Sequence, residues 1–291
     1  MYAVMGITGR VGGAVAHTLL RQGKKVRAIV RNSQRAWPWL QRGAEIFQAD
    51  YGDVPALQEA FTGVKGGFVM IPPYFAPAPD FPEARAIISA LREVLSAVRP
   101  PKLVYLSAIG AQHNRDLGLI TQSHILEQEL SSLPISSAFL RPAWFMENSS
   151  WDIASARDSG EILSFLQPLD RPIPMVATAD VGRIAAETLL KSWDGNRYIE
   201  IEGPQRYSPN SLALVLSELL HRPVQAKSLS RTQWDVIFQS QGTAPDRTEA
   251  HIEMLDGFNS GWIRFQDQGT AHVRGSVTLR DALAPLVDNI S

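Results

Sequence analysis

The feature that most constrains this chain is an alternation running through its first 140 residues. Short apolar, β-branched runs at 2–7, 26–30, 44–49, 67–71, 103–106 and 135–140 alternate with longer segments of helical period at 13–21, 55–61, 82–98 and 122–130. Several runs are apolar almost throughout, as parallel strands covered on both faces must be. In the third helical segment Ala84, Ile87, Ile88, Leu91 and Leu95 recur at intervals of one, three or four residues, which makes a single apolar stripe. Parallel strands need crossover connections, and helices of this length supply them with the right hand. The pattern predicts an α/β fold with a doubly wound parallel sheet.

The second half is less regular. Helices are predicted at 151–157, from Asp180 (as N-cap) to 190, at 232–239, 248–258 and 279–287, with short strands at 160–165 and 197–202. Ser208 before Pro209 reads as the cap of a helix running to 220. The expected organisation is a main domain over 1–150, with 176–204 returning to it. A smaller, mostly helical C-terminal lobe would take 151–175 and 205–291.

The first strand leads into Gly6-Ile7-Thr8-Gly9-Arg10-Val11-Gly12-Gly13, which opens a helix. A dinucleotide pyrophosphate needs backbone N–H groups aimed at it and no Cβ holding the chain away, and it rests on the positive end of the helix. Gly6, Gly9 and Gly12 meet that need, with Thr8 and Val11 between them, in Gly-x-x-Gly-x-x-Gly spacing. In strand–turn–helix context this makes the sheet Rossmann-like and the domain NAD(P)-binding. A tight structural turn is the plain alternative.

Charge selects the cofactor. A sheet that binds NAD places an acid at the end of its second strand, to accept hydrogen bonds from the ribose. Here that strand ends Val30-Arg31-Asn32, and no acid precedes Glu45 while eight Lys and Arg do. Arg31 suits a 2′-phosphate, with Arg10 as a second clamp, so NADP(H) is the expected cofactor. Arg21, Lys24 and Lys25 read as a solvated face. Asp50-Tyr51 after the third strand is placed beside the adenine, or in a turn or N-cap. Ile71-Pro72-Pro73-Tyr74 after the fourth forms a stiff wall, with Tyr74 turned to substrate.

Other chemistries are set aside on composition. The net charge of -1 gives no steering toward nucleic acid or anionic membrane. The absence of cysteine removes disulfides, thiolate nucleophiles and cysteine-ligated metals. Six scattered histidines show no ligand spacing, and His251 with Glu253 reads as an exposed helix pair, so no metal is expected. No apolar stretch is long enough to span a membrane, and the first residues do not resemble a signal peptide, so a cytoplasmic location is expected.

The glycine loop, the Arg31 strand end, Asp50, the Ser107-Ala108-Ile109-Gly110 turn and the run Leu140-Arg141-Pro142-Ala143-Trp144-Phe145-Met146-Glu147-Asn148 together resemble the NmrA-like family of atypical short-chain dehydrogenase/reductases. The likeness covers roughly residues 1–205 well and the remainder loosely. It implies a Rossmann domain with a small substrate lobe and a preference for NADP(H). The family includes NAD(P)H-dependent quinone reductases, other small-molecule reductases and redox-sensing regulators without turnover.

Typical short-chain dehydrogenases carry Tyr-x-x-x-Lys, and no tyrosine here stands four residues before a lysine. Some relatives carry a lysine in the helix matching 121–130, where this chain has Ser123 and His124. His124 is therefore the candidate for proton transfer, with a plain polar role as its alternative. Ser107 is a candidate for hydrogen bonding to a carbonyl or to the nicotinamide ribose, or for capping its own turn. Trp144, Phe145 and Asn148 are assigned to the substrate pocket. The expected function is NADPH-dependent reduction of a quinone-like or other conjugated carbonyl compound by hydride transfer. The alternative is a non-catalytic NADP(H)-sensing regulator or interaction protein. A homodimer is compatible with either.

Overall fold

The computed structural model describes residues 1–266 and 268–288; Asp267 and 289–291, within the expected lobe, lie outside the described residues. The first half runs β1 (Tyr2–Met5), α1 (Arg10–Arg21), β2 (Val26–Val30), α2 (Trp37–Leu40), β3 (Glu45–Gln48), α3 (Val54–Phe61) and β4 (Gly67–Val69). It continues through α4 (Pro82–Val98), β5 (Lys102–Leu106), α5 (Thr121–Leu130) and β6 (Ser136–Pro142). The second half has β7 (Trp144–Phe145), α6 (Ile153–Ser159), β8 (Glu161–Ser164), β9 (Met175–Val176), α7 (Thr178–Leu190) and β10 (Asn196–Glu202). Last come α8 (Pro209–Leu220), β11 (Gln225–Ser228), α9 (Trp234–Ser240), α10 (Glu249–Ser260), β12 (Ala271–Arg274) and α11 (Leu279–Asp288).

Among the described residues eight strands form one parallel sheet in the order β3-β2-β1-β4-β5-β6-β10-β12. The chain winds outward from β1 in both directions, which makes a Rossmann-like switch point between β1 and β4. Strand alternation sorts the core. Tyr2, Val4, Val26, Ala28, Phe68, Val104 and Ala138 face α1 and α7, packing on Val15, Leu19, Val181 and Leu189. Ala3, Met5, Ile29, Val69, Leu103, Tyr105 and Phe139 face the other way, onto Leu57, Ile88, Leu91, Leu95 and Leu126. Two apolar faces per strand are why these segments read as unbroken apolar runs.

The C-terminal lobe is mostly helical around its own core, in which Trp234, Phe238, Leu255, Leu216 and Leu283 are buried. It also holds the parallel pair β11–β8, and the parallel pair β7–β9 lies beside it. Ser208 caps α8 by accepting from the Ser211 amide, with Pro209 in the first turn. Three expectations change. The 205–291 segment returns β12 to the sheet beside β10, pairing Ile199 with Ala271. Its residues are largely exposed, so no apolar run marks it. Asp180 does not cap α7, which starts two residues earlier behind Ala177. Instead its buried carboxylate accepts from the Ser276 and Val277 amides, both at 2.8 Å, and fixes the chain after β12 to the sheet domain. The helix predicted at 151–157 is a 3-10 stretch over 146–152 followed by α6.

Candidate active site

Because all eight strands are parallel, their carboxyl ends open on one edge, and the expected site residues fall there by topology. Gly6 follows β1 with φ of +66°, a left-handed conformation that disfavours any side chain. A Cβ on Gly12 would lie 2.3 Å from the Gly6 carbonyl oxygen and 2.7 Å from that of Met5. Both contacts are with backbone, so the position tolerates glycine only. The Gly9 amide donates to the Gly6 carbonyl at 2.9 Å and closes the turn. Helix α1 then begins behind Gly9 with no side-chain cap and no acid in its first turn. Arg10, Val11 and Gly12 thus stand at the positive end of a helix, with amides that no side chain caps. Exposed Thr8 completes a cradle that fits a pyrophosphate.

Along the edge toward β3, Arg31 is exposed immediately after β2. It lies close enough to Tyr51 to oppose the rise of the phenol, which burial pushes up to about 12, with Tyr74 and Asp50 adding to it. Arg31, Asp50, Tyr51 and Tyr74 therefore form one electrostatic neighbourhood. Asp50 Oδ1 accepts from the Tyr51 amide at 2.7 Å, while Asp53 supplies the N-cap of α3. Arg10 is exposed, and its Nη1 donates to the Glu147 carbonyl at 3.2 Å, tying the glycine loop to the segment after β6. Ile71 and Pro72 are half-buried and Pro73 is exposed. Gln122 Nε2, on α5, donates to the Tyr74 carbonyl at 3.0 Å and holds that loop from below.

Past the switch point, Ser107 at the end of β5 is buried and gives its hydroxyl proton to Glu127 Oε1 at 2.5 Å. Glu127 in turn receives two bonds from Arg141, Nε at 2.9 Å and Nη2 at 2.6 Å, with the side chains 2% and 4% exposed. Arg141 Nη1 continues to Gln266 Oε1 at 3.0 Å, and the guanidinium lies 4.5 Å from the centre of the Tyr198 ring. Ser107 thus offers other partners its lone pairs and not its proton. Sequence reasoning missed Glu127 and Arg141, because nothing local links a mid-helix acid to a strand arginine. His124, half-buried on the same helix, places Nδ1 2.9 Å from the Ala111 carbonyl. A carbonyl only accepts, so Nδ1 carries the proton and Nε2 is the atom left to exchange one.

Beyond β6 a cavity of about 680 Å³ opens into the C-terminal lobe. Trp144 and Asn148 line it, as expected. Tyr74 and Phe145 are not among its lining residues; Phe75 takes the first place, and Phe145 packs on the sheet core. The reason is the alternation of an extended strand, which sends neighbours β7 Trp144 and Phe145 to opposite faces. Trp144 meets Phe258 edge-on at 5.1 Å, and at the mouth Phe75 meets Trp151 edge-on at 6.2 Å. Asp152 and His251 also line it. Burial raises the Asp152 carboxyl to about 7 and lowers His251 to about 4. His251 is not the exposed helix residue its sequence suggested: it stacks on Phe238 at 4.3 Å. The signal was present in α10, where His251, Leu255 and Phe258 fall on one helical stripe.

Fold and edge together define a Rossmann-like α/β protein with a mostly helical C-terminal lobe. The chain belongs to the NmrA-like family, whose pattern matches residues 2–255. It is similar to quinone oxidoreductase 2 of Escherichia coli, 26% identical over 93% of this chain and 92% of that one. It is also similar to the NAD(P)H azoreductase of Xenophilus azovorans, 25% identical over 87% of this chain and 86% of that one. The fold matches the Escherichia coli NADPH-dependent quinone oxidoreductase solved with NADPH, at a TM-score of 0.81 and 23% identity, over 98% of this chain and 99% of that one.

Proposed function

We propose that this chain is an NADPH-dependent reductase acting on a quinone-like or other conjugated carbonyl compound bound in the cavity beyond β6. One observation carries the reading. An uncapped helix start behind a glycine cradle and an aromatic-lined cavity open from the same carboxyl edge of one parallel sheet. The activities named for its relatives support it.

The glycine loop and the amides of Arg10, Val11 and Gly12 hold the pyrophosphate, and Thr8 completes that cradle. Arg31 pairs with the 2′-phosphate, and Asp50 and Tyr51 border the adenine. Ile71, Pro72 and Pro73 wall the nicotinamide side, where a lone pair of Ser107 accepts from the ribose. Bound there, NADPH supplies a hydride. Trp144 and Asn148 orient a flat acceptor, and Phe75 and Trp151 border its entrance. When the carbonyl oxygen gains charge, His124 delivers a proton from Nε2 while Nδ1 stays on Ala111. The Ser107–Glu127–Arg141 network keeps α5, and with it His124, in register with the strand ends.

The test is oxidation of NADPH by the full chain with a neutral benzoquinone and an α,β-unsaturated ketone as acceptors. Acceptor-dependent oxidation is expected. Tight NADPH binding with no turnover on any acceptor would refute the reductase and leave a sensor.

A further inference from the structure

The cavity carries a group that the proposed reduction does not use. Asp152 ends the 3-10 stretch before α6; it is half-buried against the cavity it lines, and no hydrogen bond or ion pair among the described residues reaches its carboxylate. Around it the wall is aromatic, with Phe75, Trp144, Trp151, Phe165 and Phe238. Two of these stand at the mouth, Phe75 51% and Trp151 68% exposed, so the cavity is open to an incoming molecule.

Titratable groups on the neighbouring elements are accounted for. On α10, His251 lines the cavity, and burial keeps it neutral. On α9, Asp235 accepts from Thr248; on β8, Glu161 is paired with Lys227. On α6, Arg157 pairs with Asp158; on α11, which packs on the 3-10 stretch, Arg280 pairs with Glu218 of α8 and Asp281 accepts from Thr278. On the stretch itself Glu147 accepts from the Thr178 amide. The rise of Asp152 toward neutrality has burial as its sole cause, so no nearby charge contributes. Any charge this cavity carries is therefore negative and sits on one carboxylate.

A desolvated carboxylate without a partner is unfavourable, and an occupant that brings a positive charge relieves that while a neutral one does not. The same occupant is attracted to ring faces, tryptophan most of all. We propose that the cavity selects flat aromatic compounds bearing a cationic nitrogen, and that Asp152 is the residue that selects them. As a statement about substrates this rests on the reductase reading; as a statement about binding it does not.

The experiment is equilibrium dialysis of the full chain, without cofactor, against a naphthylmethyl-trimethylammonium cation and its neutral isostere with carbon in place of nitrogen. The charge of the probe does not titrate, so any pH dependence belongs to the protein. At about pH 8.5 the cation should bind at least tenfold more tightly, roughly, and the preference should vanish by about pH 5.5 as Asp152 takes its proton. Asp152→Asn should abolish the preference at both pH values, and Asp152→Glu, which keeps the charge, should retain it. Equal binding of the two probes, binding of neither, or a preference that survives in Asp152→Asn overturns the proposal. A cation preference in a chain that oxidises no NADPH would uphold this inference and refute the reductase. Turnover of a neutral quinone without the preference would do the reverse.

Discussion

Along one sheet edge, the loops after β1 to β3 offer backbone amides and a solvated guanidinium, whereas the cavity past β6 offers aromatic rings and two groups whose charge burial disfavours. The first region is built from main-chain geometry within a few consecutive residues. The second is gathered from segments between Phe75 and Leu255. Their tolerances differ accordingly. A cradle defined by backbone contacts fails at a single added methyl group, while a wall of side chains changes its selectivity before it fails.

The largest effect expected is therefore at Gly12. Gly12→Val places branched carbons against two backbone carbonyls and must open the loop, so NADPH affinity should fall at least about a hundredfold. Calorimetry alongside circular dichroism would separate lost binding from lost folding. A folded variant that binds normally would break the claim that backbone contacts define this region.

Next comes His124→Ala, with turnover lowered by about 10²–10⁴-fold and NADPH affinity nearly unchanged. The measurement is steady-state kinetics beside a binding titration. A loss under about threefold with an unchanged pH–rate profile would make His124 structural, the proton then coming from water.

Between the regions lies the buried Glu127–Arg141 pair. Glu127→Ala leaves a guanidinium without its partner in the interior and should cost about 3–5 kcal/mol in denaturant unfolding. A cost near zero would show that the network does not hold α5 to the strand ends.

What the sequence made legible follows the same division. The inner strands β1, β2, β4, β5 and β6, their helices and the glycine loop were readable because parallel strands with two buried faces and a close-packed turn each dictate residue types locally. Edge strand β3 was readable through Ala44, Ile46, Phe47 and Ala49. Strand β12 was not, since an edge strand with exposed residues carries no apolar run. Nor was β11, whose Gln225-Ala226-Lys227-Ser228 is mostly polar. In the cavity only Trp144 and Asn148 were found, through the stretch after β6. Phe75, Asp152 and His251 meet only in three dimensions, and a carboxylate beside a tryptophan reads in sequence as an ordinary helix start.

The cavity region can be sharpened by pH. Asp152 keeps its proton in the folded chain up to about 7 against an ordinary value of 3.8, so stability is highest below about pH 4 and falls as pH rises toward 7. His251 stays neutral in the folded chain down to about 4 against 6.5, so its contribution is lost as pH falls from 6.5 to 4. The two slopes oppose each other between pH 4 and 6.5. Thermal melts of Asp152→Asn should show stability rising across that window, and His251→Phe should show it falling. Parallel profiles for both variants would mean that neither group is as buried as the structure has it.

On the proposed reading the edge region, not the cavity, chooses the cofactor, and the decisive measurement is calorimetric titration of NADPH and NADH against wild type and Arg31→Ala. NADPH is expected to bind more tightly than NADH by about tenfold or more, with near-equal affinities once Arg31 is removed. Equal affinities in the wild-type chain, or a preference that survives in Arg31→Ala, would contradict it.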